Sequence, residues 1–133
     1  MSKHPIADGA HRGRLLAAGW LTLPALSAQR GDADSVTTGA WVAAQARAGE
    51  LIVLNGPTEH QPVIPTFQLT ARGEPRPELR AVLAALHAGG VDGWASWTWL
   101  TSPSSYLSGD VPEQVAAFDS ARVMRAAARF AAA

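Results

Sequence analysis

The chain contains no cysteine and a single lysine, Lys3, among its 133 residues. The first absence excludes disulfide bonding and thiolate chemistry, whether nucleophilic, redox or metal-ligating. The second leaves arginine as nearly the whole basic complement, and eleven Lys and Arg against eleven Asp and Glu give a formal charge of zero. Such a balance does not capture nucleic acid or anionic lipid over a broad front, although a local basic patch survives it. No run of about 18 apolar residues is present, so no membrane-spanning helix is expected. The start, Met1-Ser2-Lys3-His4-Pro5, also lacks the apolar core of a signal peptide. Cytoplasmic residence without a membrane partner is the resulting expectation.

The side chains that catalysis needs are scattered. His4, His11, His60 and His87 show no ligand spacing, and a metal site needs three or four converging ligands. Ser102, Ser104, Ser105 and Ser108 stand in no G-x-S-x-G context and beside no base, so turn formation accounts for them. Gly89-Gly90 lacks the Gly-Lys-Ser that would make a phosphate loop, and the acidic residues occur singly. The chain is therefore expected to be no enzyme, with no cofactor and no metal.

What is present describes a globule: 47% hydrophobic and 17% charged residues, in a length suited to one compact domain or two small subdomains sharing a core. Residues 1–11 read as a loose arm. Residues 12–69 read as three short helices and a hairpin. Leu15 and Leu16 mark the first helix, and Thr22 caps a second with Pro24 close behind. Gly31 to Ser35 is turn chemistry, and a third helix runs from about Val36 or Thr37 to Ala48, ended by Gly49. Leu51 to Leu54 and Val63 to Leu69 are β-prone runs around an Asn55-Gly56-Pro57 turn. This order is like a shortened winged helix-turn-helix.

Residues 70–133 form a helical unit. Leu79, Val82, Leu83 and Leu86 fall at i, i+3, i+4 and i+7, predicting a helix from Pro77 to about His87. Another is expected over Gly93–Leu100, with further helices near 112–117 and 120–131, the last capped by Asp119. Trp94, Trp97 and Trp99 are read as core or interface anchors, since Trp99 does not share the face of the other two. The fold class is thus mainly α, a small helical bundle with one β-hairpin.

The run Trp99 to Val115 packs helix end, turn and helix start together. Pro103 stops one helix, Gly109 permits the turn, Pro112 suits the first turn of the next, and Leu107 fills the corner. With its flanks, this spacing resembles the toxin-binding domain of the MbcA/ParS/Xre antitoxin family. The likeness begins at Pro65-Thr66-Phe67-Gln68-Leu69 and passes through Gly73-x-Pro75 and the leucine helix. It then covers Trp99-Leu100-Thr101-Ser102-Pro103, Leu107-x-Gly109-x-x-Pro112 and a last helix through Val123 and Ala127. Ser104 departs from the Asn that usually follows the proline. The resemblance implies an antitoxin that binds and occludes a RES-type toxin with its last helix and autoregulates its operon.

Two surfaces are candidates. On the last helix Arg122, Arg125 and Arg129 fall at i, i+3 and i+7, and with Phe130 they are the expected partner contacts. On the third helix Thr37, Thr38, Gln45 and Arg47 are the candidate DNA contacts, although segment 12–62 carries no net positive charge to neutralise phosphates. A homodimer is expected, because the chain offers more apolar side chains than one small core absorbs. A stand-alone DNA-binding regulator and a homo-oligomeric adaptor without a toxin are the alternative functions, and gene neighbourhood separates the adaptor from the antitoxin.

Overall fold

The computed structural model describes residues 9–17, 19–55 and 61–133. Most of the expected arm, Gly56 and Pro57 of the expected turn, and His60 lie outside the described residues. The helix α1 spans Gly9–Ala17, starting inside the expected arm. A two-residue strand, β1, follows at Trp20–Leu21, which the sequence reading did not anticipate. Next come α2 at Leu23–Arg30 and α3 at Ser35–Arg47, with β2 at Leu54–Asn55 and β3 at Pro62–Pro65. The three strands form an antiparallel sheet in the order β1-β3-β2, with Trp20 opposite Pro65 and Leu54 opposite Val63.

The expected return strand stops early. After Pro65 the chain tightens into a 3-10 turn over Thr66–Gln68 instead of running extended to Leu69. The cause is Gln68, which is fully buried: its Oε1 accepts from the Ile52 N–H and its Nε2 donates to the Ile52 carbonyl, each at 2.8 Å. A side-chain amide here supplies the two bonds a neighbouring strand would have made, and buried backbone groups must find such partners.

The second half contains α4 at Pro77–Ala88, α5 at Gly93–Leu100, a 3-10 turn at Ser105–Leu107, α6 at Pro112–Val115 and α7 at Ser120–Ala132. The helix starts follow capping chemistry. Side chains of Asp92 and Asp119 accept from the Ala95 and Arg122 N–H groups, while Pro77 and Pro112 occupy first-turn positions whose missing N–H costs nothing. The leucine stripe of α4 is buried against α7, which contributes Val123, Ala126, Ala127 and Ala131. Alanines on that stripe let the two helices lie close together.

The corner between α5 and α6 forms as its spacing requires. Leu107 is fully buried, Gly109 has φ of 88°, and the N–H groups of Gly109 and Ser104 bond Ser104 O and Asp110 O at 2.8 and 3.0 Å. Pro103 is exposed just beyond the end of α5, and Pro112 is buried as α6 begins.

Leu51 to Leu54 and β3 have a core on each side. Leu51 and Ile64 belong with Leu26 and Val42, the apolar centre under α2 and α3. Ile52, Leu54 and Val63 belong instead with Leu79, Trp97, Leu107 and Val123 of the helical unit. Alternate side chains of an extended chain point to opposite faces, so one short segment walls both cores.

Two arginines pin the halves. Arg30 Nε donates to Asp32 Oδ2 at 3.0 Å and its Nη1 to Gly73 O and Glu74 Oε1, both at 3.1 Å, while the guanidinium lies 3.7 Å from the Trp41 ring centroid. Arg76 donates to Glu78 Oε1 at 2.7 Å and to Phe67 O at 2.9 Å. It also reaches Glu113 Oε2 at 2.6 Å and Glu113 O at 2.8 Å. Neither clamp has a local sequence signal, since most of the partners are distant in the chain.

Candidate functional site

The approach from α2 to α3 is braced. Gly31 ends α2 with φ of 72°, and four residues later α3 begins. Asp34 caps it, its Oδ1 accepting from the Thr37 N–H at 2.8 Å. Thr38 Oγ1 donates to Asp32 Oδ2 at 2.7 Å, and Arg30 reaches the same oxygen. The Asp32 carboxyl is held below its ordinary value by the Thr38 hydroxyl first and Arg30 next, and the Asp34 carboxyl by the Thr37 backbone N–H.

This geometry sorts the four candidate DNA contacts. Thr37 and Arg47 are exposed on the outer face of α3, together with Val36, Ala40 and Ala44. Thr38 is not a surface residue: it has no exposed area and its hydroxyl is spent on Asp32, so it positions the helix and cannot touch a ligand. Gln45 is half-buried and lines a groove toward α4 with Trp41, Glu50, Pro75, Pro77 and Arg80, about a third of a turn from the middle of the outer face. The sequence could not rank these positions because α3 is alanine-rich all round, and its pattern alone does not say which side faces in.

The second surface lies on α7. Arg125 and Arg129 are exposed, with the Arg129 guanidinium 5.1 Å from the Tyr106 ring centroid; Arg122 Nη1 lies 3.8 Å from Asp110 Oδ2. Phe130 is half-buried and stacks on Trp99 with centroids 5.3 Å apart. An apolar cleft of about 280 Å³ runs beside that pair, lined by Ala95, Thr98, Ser102 and Pro103. Trp97 and Trp99 are core residues, while Trp94 is partly buried and stacks on Trp97 at 5.8 Å. Among the described residues, no three His, Cys, Asp or Glu side chains converge to hold a metal ion, and no helix is long and apolar enough to cross a membrane.

Helix, strand, helix, turn, helix and two further strands, with the last strand central in the sheet, follow the order of a winged helix-turn-helix, within a mainly helical fold that carries a small three-stranded antiparallel sheet. No family model and no curated protein sequence matches the chain. Among solved structures it is similar to the mycobacterial protein Rv2175c, determined by NMR. The TM-score is 0.64 at 25% sequence identity, over 85% of this chain and 81% of that one. A match of that extent is longer than either half, so the shared fold includes both.

Proposed function

We propose that this chain is a DNA-binding regulator that lays α3 in the major groove of double-stranded DNA. The observation that carries the reading is the winged-helix order of elements together with an outer face of α3 that presents Thr37 and Arg47 to solvent. In helix-turn-helix proteins the second helix enters the groove and the first crosses the backbone. Basic groups near this face are few, so affinity per copy is low and depends on salt through only two or three phosphate contacts, a slope of about −2 to −3 in log K against log salt. Fluorescence anisotropy with the full chain and labelled duplexes at about 50 mM salt tests this. Arg47→Ala is expected to weaken binding and to reduce the slope by about 1. Absence of binding to any duplex at low salt overturns the reading.

The exposed Arg125 and Arg129 on α7 favour a second reading, in which the helical unit contacts a protein. In that reading the resemblance to the MbcA/ParS/Xre domain carries over: α7 occludes a RES-type toxin, and DNA binding by the first half autoregulates the operon. Co-purification with the product of the adjacent gene, lost in Arg125→Glu/Arg129→Glu, supports it; no co-purification of the unaltered chain removes it.

A further inference from the structure

The bases of the major groove are told apart chiefly by paired hydrogen bonds, Arg or Lys to guanine and Asn or Gln to adenine. The base-reading end of a recognition helix is its N-terminal part, and on α3 that part offers none of these side chains. Arg47 stands eleven residues beyond Val36, about 16 Å along the axis at the usual rise. Gln45 faces the groove toward α4.

What the outer face offers at this end is methyl groups. Val36 is 81% exposed, one of two large apolar side chains left so open among the described residues. Thr37 and Ala40 are exposed beside it. The Asp34 carboxylate takes the Thr37 backbone N–H at 2.8 Å. The major groove has one apolar feature of its own, the C5-methyl group of thymine.

Resting on the DNA-binding reading, we infer that α3 selects its sites by burying Val36, flanked by Thr37 and Ala40, against thymine methyl groups. The preferred ligand class is A·T-rich duplex DNA, and discrimination is apolar instead of hydrogen-bonded.

The experiment compares, by anisotropy with the full chain, one A·T-rich duplex with the same duplex carrying deoxyuridine in place of thymidine. Losing the methyl groups is expected to weaken binding about fourfold for each contact removed. Val36→Ser, at a position outside the core, is expected to abolish the difference between the two duplexes. Equal binding of both duplexes by the unaltered chain overturns this inference and leaves DNA binding standing. A thymidine preference that persists in Val36→Ser overturns it as well, because the methyl groups are then read elsewhere. Binding to neither duplex at low salt sinks the DNA-binding reading itself.

Discussion

The carboxamide of Gln68 stands in for a strand beside Ile52, and both groups it satisfies are backbone atoms buried with it. Replacing Gln68 by Ala leaves an N–H and a carbonyl without partners, at a cost of about 3 kcal/mol. The expected result is a fall in thermal midpoint of roughly 10 °C, read by circular dichroism. A second residue-scale outcome concerns acid. Asp32, Asp34 and Glu78 have folded carboxyl values held below normal, by the Thr38 hydroxyl, the Thr37 backbone N–H and the Arg76 guanidinium respectively. A lowered folded value means the unfolded chain binds protons first, so this stabilisation is complete above about pH 5 and is lost as pH falls through the depressed values. Thermal midpoints measured from pH 6 to pH 2.5 are expected to decline most steeply below about pH 4, and Asp32→Asn to flatten part of that decline. Thr22 and Asp119 were legible as caps because a cap and its N–H lie three residues apart. Gln68 was legible only as part of a motif, since its partner is 16 residues away and nothing in its neighbourhood says that its amide turns inward.

Elements divide in the same way. The leucine stripe of α4, both limits of α5 and the corner through Leu107, Gly109 and Pro112 depend on local spacing, and the structure has them where the spacing puts them. The strand β1 has two residues and pairs with Ile64 and Pro65, more than forty positions onward, so no periodicity announces it. The last helix shows how burial corrects an experiment the sequence invites. Cutting the chain before Arg122 suggests itself as a clean removal of the arginine face. The cut also takes Val123, Ala126, Ala127 and Ala131 out of the core. Loss of several packed side chains exceeds what a small domain can spare, and the truncated chain is expected to be unfolded in the region of α4, seen as lost helical ellipticity and exposed tryptophan. Arg125→Glu with Arg129→Glu tests the face without that damage.

At the scale of the whole molecule, the two cores share a wall, and the Arg30 and Arg76 clamps cross the connector beside it. The expected consequence is one unfolding transition. Trp41 reports on the first core, while Trp97 and Trp99 report on the second. Urea unfolding of the unaltered chain followed by tryptophan fluorescence and by far-ultraviolet circular dichroism should give coincident midpoints. Two separated transitions would mean that the halves are independent. The sharing of one wall was not legible in the sequence, because it depends on which alternate side chain of Leu51 to Leu54 faces which way.

A partition with a room on either side has no outside. Leu51, Ile52, Leu54, Val63 and Ile64 touch neither the outer face of α3 nor the arginines of α7, yet a change of shape at any of them disturbs one packed interior and, through the backbone, its neighbour. Substitutions that change side-chain volume in this segment are therefore expected to cost more stability than substitutions at exposed positions such as Val36 and Arg125.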